Sequence, residues 1–158
     1  MEGYQVDSSY SYNFHAQSLS SSIGIVKEKT MNPRVLLIDD ELALIRNLSE
    51  LLRRRGFDAS VAANGMDGIK RLEVEDFDVI LLDLRMPGLS GIDVLKRIKA
   101  IDKNYPEVII LTGFSTIESS LDGLQYGAFD YMTKPIKIED LAERIRKAYQ
   151  KRAIRKGI

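Results

Sequence analysis

From residue 34 onward, short apolar runs alternate with segments whose apolar residues recur every three or four positions. The short runs are rich in branched residues and are bounded by turn formers, which predicts buried strands. These predicted strands lie at 34–38, 58–62, 78–82, 107–111 and 128–132. Strands that alternate with helices are typical of an α/β fold with a parallel sheet.

The segments between the strands have helical periodicity and recognisable ends. The predicted N-caps of the second, third and fourth helices are Asn64, Ser90 and Ser115. Gly56 and Gly127 predict where the first and fourth helices end. The last helix is predicted from the apolar positions Ile138, Leu141, Ala142, Ile145 and Ala148. Five βα units with right-handed crossovers predict a doubly wound, five-stranded parallel sheet covered by helices on both faces.

The first thirty residues have a different composition from the rest of the chain. They contain many Ser and Tyr residues and few periodic apolar positions. We interpret residues 1–31 as a flexible extension and residues 32–156 as the folded domain, with no further domain after it. The extension could be an engineered addition, a translated upstream segment before a true start at Met31, or a short partner-binding arm.

Composition limits the class of protein. The chain has 158 residues, a formal net charge of zero and a pI near 6.6, so the totals do not indicate a nucleic-acid or membrane-surface binder. The absence of Cys excludes disulfides and thiolate chemistry. Without a membrane-length apolar run or a secretory signal pattern, we expect a cytoplasmic protein.

Polar side chains follow four of the predicted strands. Asp39 and Asp40 follow the first strand, Asp83 the third, Thr112 the fourth, and Lys134 comes shortly after the fifth. The carboxyl ends of parallel strands meet at one edge, so these groups are expected to converge. Each alone has an ordinary explanation: a helix N-terminus, a loop cap or a solvated charge. Together they suit Mg²⁺ and a phosphoryl group, with Asp83 as the oxygen nucleophile.

Residues 34–155 resemble a response-regulator receiver domain of two-component signalling. The matching segments are Val35-Leu-Leu-Ile-Asp39-Asp40-Glu41, Asp83-Leu-Arg-Met-Pro-Gly88, Leu111-Thr112-Gly113 and Gly127-Ala-Phe-Asp-Tyr131-Met-Thr-Lys134-Pro135. The resemblance implies a flavodoxin-like strand order of 2-1-3-4-5.

The resemblance also implies a role for each residue of the site. Asp83 would be the phosphoacceptor. Mg²⁺ would be bound by Asp39, Asp40, Asp83 and the backbone carbonyl of Arg85. Thr112 would be the switch hydroxyl, Tyr131 the switch aromatic and Lys134 the family's lysine, followed by a cis bond to Pro135. Glu41 we assign to the first turn of the helix, where acids suit the macrodipole.

The family further implies a signalling phosphoacceptor, not an enzyme that acts on a separate substrate. The phosphoryl donor would be a sensor histidine kinase or a phosphotransfer protein. The responding face would be 115–149, where we expect a downstream protein or a second copy of the chain. A basic run ends the last helix at Lys147, Lys151, Arg152, Arg155 and Lys156. We interpret it as a solvated helix end and expect no nucleic-acid contact.

Several alternatives stay open at this point. A receiver-like binding module that works without phosphorylation is the main one. A haloacid-dehalogenase-like phosphatase would need a second Asp at position 85, where this chain has Arg85. A flavodoxin-like FMN binder would need a phosphate loop where Asp39, Asp40 and Glu41 place negative charge. Arg85 itself is interpreted either as a residue that tunes the phosphoryl lifetime or as a solvated charge.

Overall fold

A computed structural model describes residues 32–101, 104–113 and 117–158, without the side chains of 117–120. The predicted extension and the predicted cap Ser115 lie outside the described residues. Residues Asn32–Ile158 form one compact unit. Within the described part of the chain, no helix has the length and hydropathy needed to cross a membrane.

Five strands and five helices alternate along this unit. The strands are β1 Arg34–Ile38, β2 Asp58–Ala62, β3 Val79–Leu82, β4 Glu107–Thr112 and β5 Asp130–Thr133. The helices are α1 Leu42–Arg54, α2 Gly65–Val74, α3 Gly91–Ala100, α4 Ile117–Gln125 and α5 Ile138–Lys156. All strand pairs are parallel and the sheet order is β2-β1-β3-β4-β5. The predicted fold class and strand order are confirmed.

The sheet separates two hydrophobic cores, because successive residues of a strand point to opposite faces. On β1, Val35 and Leu37 pack toward α1 and α5, whereas Leu36 and Ile38 pack toward α3. Burial on both faces explains why the central strands read as continuous apolar runs in the sequence. These two cores fix the sheet, and therefore the positions at which its strands end.

The boundaries differ from the predictions at a few ends. β5 begins at Asp130, two residues later than predicted, whereas α5 ends at Lys156, within the basic run that was expected to end it. The side chains of Asn64 and Ser90 accept the backbone N–H groups of the residues three positions on, as N-caps do. The interpretation of this basic run as a solvated helix end is wrong for Arg152, which is buried because its guanidinium bonds Asp76 and Asp78 on the loop before β3.

Candidate functional site

The ends of the two neighbouring strands β1 and β3 bring two buried carboxylates together. The Asp83 backbone N–H donates to the Ile38 carbonyl at 3.0 Å, which continues the β1–β3 ladder past the last strand residue. Asp39, next after Ile38, is 3% exposed and Asp83 is 6% exposed. Carboxylates are seldom buried to this degree without compensating partners, so the rest of the site must supply them.

Lys134 supplies the positive charge. Its ammonium donates to Asp39 Oδ2 at 2.8 Å and to Glu41 Oε1 at 2.9 Å, and lies 3.6 Å from Asp83 Oδ2. The chain reaches this position from β5, and the Lys134 backbone N–H donates to the Thr112 carbonyl at 2.9 Å. One ammonium therefore faces three carboxylates, and the cluster remains net negative.

Backbone N–H groups stabilise the two buried carboxylates. The Glu41 N–H donates to Asp39 Oδ1 at 2.9 Å, and the Arg85 N–H donates to Asp83 Oδ1 at 3.2 Å. Both bonds span two residues, as in an Asx turn, and they fix the direction in which each carboxylate points.

Electrostatics differ between Asp83 and Lys134. Burial raises the pKa of Asp83 above its ordinary value of 3.8; the Arg85 N–H and the Lys134 charge lower it, while the charges of Asp39 and Asp40 raise it further. For Lys134, burial disfavours the charge. The hydrogen bonds that Lys134 donates to Asp39 and Glu41, with the charges of Asp83 and Asp39, outweigh the effect of burial and raise the pKa of Lys134 to about 12. Lys134 is therefore a permanent cation, whereas Asp83 is destabilised as an anion.

Glu41 belongs to the site, although its position before α1 predicted only a helix terminus. It is the N-cap position of α1, but its side chain makes no capping hydrogen bond and instead accepts from Lys134. Carboxylate oxygens of Asp39, Glu41 and Asp83 lie within 4.8 Å of one another. The position of Glu41 directly after Asp39 and Asp40 is the sequence signal that could have indicated its membership of the cluster.

An oxygen-only donor set with excess negative charge fits a hard divalent cation. Asp39, Glu41 and Asp83 could hold a metal ion. Asp40 is exposed and is not a member of this three-residue cluster, although its charge acts on Asp83. Its predicted role as a ligand, like that of the Arg85 carbonyl, stays a prediction.

The other predicted residues lie on the strands β4 and β5 or shortly after Asp83. Thr112 ends β4, is 2% exposed and pairs in register with Thr133. Tyr131, opposite Ile110 in the same ladder, is 36% exposed and so lies at the surface. Arg85 has an exposed side chain. The Lys134–Pro135 peptide bond is cis, as predicted.

Gly91 is a second residue of the site that no sequence pattern indicated. It is the first residue of α3, and its N–H donates to the Leu84 carbonyl at 3.1 Å. A Cβ at this position would collide with the Asp83 carbonyl oxygen and with Cα of Leu84. The start of α3 therefore lies directly against the backbone that carries Asp83, which only Gly permits without a shift.

Comparison with known proteins agrees with this geometry. The family profile described as "Response regulator receiver domain" matches residues 35–146. The chain therefore belongs to the response regulator receiver family, and its folded unit is a receiver domain of two-component response regulators.

The relatives are of two kinds. Sporulation initiation phosphotransferase F of Bacillus subtilis (strain 168) is 32% identical over 117 residues, which are 74% of this chain and 94% of that protein. The uncharacterized transcriptional regulatory protein YkoG of the same organism is 39% identical over 114 residues, 72% of this chain but 50% of that protein. The chain thus spans half the length of one relative and nearly all of the other.

Solved structures of response regulators have the same fold as this chain. A response regulator receiver domain protein from Clostridium thermocellum has a TM-score of 0.72 and 33% identity, with 77% of this chain and 98% of that chain covered. The response regulator TrrA from Thermotoga maritima, in complex with Mg²⁺-BeF, has a TM-score of 0.66 and 31% identity, with 73% and 98% covered.

Proposed function

We propose that this domain is a signalling switch that accepts a phosphoryl group on Asp83. The observation that supports this most directly is the Lys134 ammonium, which bonds Asp39 and Glu41 and lies 3.6 Å from Asp83. Phosphoryl transfer requires an oxygen nucleophile and positive charge beside the transferring oxygens. Receiver domains interact with sensor histidine kinases or phosphotransfer proteins, so the donor is a phosphohistidine on such a partner.

In the proposed transfer, a carboxylate oxygen of Asp83 attacks the phosphorus atom of the phosphohistidine. The new P–O bond forms as the P–N bond breaks, and the imidazole leaves with the electron pair. The backbone N–H of Arg85 holds the other Asp83 oxygen, as it does before the reaction. Lys134, still protonated because its pKa is about 12, donates to the phosphoryl oxygens.

The proposed cofactor is Mg²⁺. Asp39 and Asp83 would hold it, with Asp40 and the Arg85 carbonyl as the predicted further ligands and Glu41 as an added candidate. When bound, Mg²⁺ would neutralise negative charge shared by the carboxylates and the transferring group. The donor chemistry supports this choice, since every candidate ligand is an oxygen atom.

Phosphorylation would replace the Asp83 carboxylate, with its single negative charge, by an acyl phosphate of roughly −2, a net change of about −1 at the edge of the sheet. Thr112 would then bond a phosphoryl oxygen, and Tyr131 would move inward from its exposed position. The face at 115–149 would change with them. Its described apolar residues Leu121, Leu124, Tyr126 and Tyr131 are exposed, which supports a protein partner or a second copy there.

In this proposal the domain catalyses only its own phosphorylation and dephosphorylation. We also propose that it acts in the cytoplasm, where its kinase partner would present the phosphohistidine. We propose no direct contact with nucleic acid or membrane.

Intact-mass measurement after incubation with acetyl phosphate and Mg²⁺ tests the proposal. We expect one phosphoryl adduct, located at Asp83 by peptide mapping, and its loss in Asp83→Asn or in EDTA. Asp58→Asn, an exposed acid in an ion pair with Arg34, is the matched control and should keep the adduct. A folded wild-type protein that takes up no phosphoryl group would favour the phosphorylation-independent binding module.

A further inference from the structure

A second group of charges lies at the opposite edge of the sheet, around Tyr105 before β4. The Lys99 ammonium lies 3.9 Å from the Tyr105 ring centroid, and the Arg155 guanidinium lies 4.0 Å from it. Lys99 is in the last turn of α3 and Arg155 in the last turn of α5. One aromatic ring is thus in contact with two cations from two helices.

Lys99 lies against the Tyr105 ring and the backbone at Gly127. Its side chain is partly buried, and its ammonium forms no ion pair within 4.0 Å among the described residues. Its Cε lies 3.0 Å from where a Cβ of Gly127 would stand, so the aliphatic stem packs against that backbone. A desolvated lysine beside another cation is a recognised arrangement for a nucleophilic amine.

We propose that Lys99 is a modification site, the fastest of the described lysines to be acylated by an acyl phosphate. The neutral amine attacks the carbonyl carbon of the acyl phosphate. A C–N bond forms, the C–O bond to phosphate breaks, orthophosphate leaves, and the displaced amine proton passes to water. The product is an amide, and the positive charge on Lys99 is lost.

The charges that face Lys99 come from two elements, and they act in opposite directions. Burial lowers the pKa of Lys99 from 10.5 to about 8; Glu107 of β4 raises it, while Arg155 and Lys151 of α5 lower it further. Glu107 is fully buried and forms an ion pair with Arg155, which leaves it less able to hold a proton on Lys99. Burial and the neighbouring cations therefore favour the reactive, uncharged amine, against Glu107 and the Tyr105 ring face, which favour the ammonium.

Lys96 is the matched control on the same helix. It is exposed, and its ammonium also lies over a tyrosine, 4.5 Å from the Tyr126 ring centroid. The two lysines differ in burial and in the neighbouring arginine, and not in the presence of an aromatic ring. A difference in acylation rate between them therefore reports the environment proposed to activate Lys99.

The experiment is a time course with acetyl phosphate at pH 7.5 in EDTA, read by peptide mapping. We expect roughly tenfold faster acetylation at Lys99 than at Lys96, because the larger neutral fraction outweighs the lower basicity of the amine. The α-amino group, which titrates near the same pH, is quantified separately. Asp83→Asn removes any competing transfer at Asp83, so failure here is distinguishable from failure of the proposed phosphoacceptor role.

Two substitutions test whether Lys99 is acetylated quickly because of its neighbouring charges or only because it is accessible. Arg155→Gln removes a neighbouring cation and should slow acetylation of Lys99, although it opens the site. Glu107→Gln removes the facing anion and should accelerate it. With pH, the Lys99 rate should level off above about 8.

A Lys99 rate no greater than that of Lys96 would overturn the proposal. So would equal acceleration by both substitutions, which would indicate exposure as the cause. If either variant fails to fold, the ratio of the Lys99 and Lys96 acetylation rates in the wild type, together with the pH profile of the Lys99 rate, tests the proposal.

Discussion

The two edges of the same sheet hold buried charges in opposite ways. At the carboxyl edge, Asp39, Asp83 and the more exposed Glu41 share the single ammonium of Lys134. At the amino edge, the Arg152 guanidinium donates to Asp78, to Asp76 and to two backbone carbonyls. The carboxylate cluster keeps excess negative charge. The Arg152 guanidinium, in contrast, donates to four acceptors within the domain.

The difference indicates which edge is built for an incoming group. Asp78 also accepts the Arg34 backbone N–H at 2.8 Å, so this edge joins the starts of β1 and β3 to the end of α5. A charge whose partners are all within the domain stabilises the fold. A carboxylate cluster with excess negative charge is instead stabilised by an incoming cation, such as the proposed Mg²⁺.

Removing the buried cation at the amino edge should have the largest effect on stability. Arg152 is 2% exposed, so Arg152→Met removes a buried cation, the ion pair with Asp78 and the hydrogen bond to the Asn104 carbonyl, while the Tyr105 carbonyl keeps a bond from Arg155. We expect the free energy of unfolding to fall by about 3 kcal/mol, measured by urea denaturation. Arg54→Met, which breaks an exposed pair with Glu50, is the control and should cost at most about 0.5 kcal/mol. If Arg152→Met lowers the free energy of unfolding no more than Arg54→Met does, the buried charges at the amino edge do not stabilise the fold.

Lys134→Met should have the next largest effect, in buffer without divalent cations. The folded-state pKa of Lys134, about 12, lies above the ordinary 10.5. Its stabilising contribution is therefore complete below pH 10.5 and is lost as the pH rises through about 12. We expect a cost of roughly 2 kcal/mol at pH 8, seen as the difference in unfolding free energy between the two proteins.

The pH dependence of that difference is the sharper measurement. It should be constant from pH 7 to 10 and should shrink above pH 10.5, while other titrating groups cancel between the two proteins. A difference that does not change up to pH 12 would mean that Lys134 stabilises the fold by packing and not by charge.

The fold could be predicted from the sequence because its two signals are strong and local. Buried parallel strands give unbroken apolar runs such as Val35–Ile38, and the caps Asn64 and Ser90 mark helix starts with side chains that bond within three residues. The convergence of Asp39, Asp83 and Lys134 followed from topology alone, since parallel strands end at one edge.

The parts that the sequence did not reveal depend on side-chain direction or on long-range contacts. Glu41 has a position typical of a helix N-terminus, and only the turn after β1 directs its carboxylate toward Lys134. Arg152 looks like one more solvated cation at a helix end. Its partners Asp78 and Tyr105 lie 74 and 47 residues away, so no local pattern indicates its burial.

Mg²⁺ should stabilise the carboxyl edge and leave the amino edge unchanged. At ten times the dissociation constant, binding to the folded state alone adds about 1.4 kcal/mol to the unfolding free energy. We expect this gain in the wild type and in Asp58→Asn, measured by urea denaturation at matched ionic strength. Asp83→Asn should lose most of it. An equal gain in Asp83→Asn would place the cation outside this cluster.

Asp83→Asn should itself stabilise the protein in EDTA, by the smallest amount of the four predictions. The folded-state pKa of Asp83 is raised above 3.8, so the folded protein holds this proton more tightly than the unfolded chain. Stability therefore falls as the pH rises from 3.8 through the raised value, and the cost is complete at neutral pH. The amide keeps the shape and the bond from the Arg85 N–H without the repulsion from Asp39 and Asp40. We expect a gain in unfolding free energy at pH 7 that vanishes below pH 3.8, measured by urea denaturation. A loss of stability at pH 7 would show that Lys134 compensates Asp83 in full, and that the two edges of the sheet are more alike than their geometry indicates.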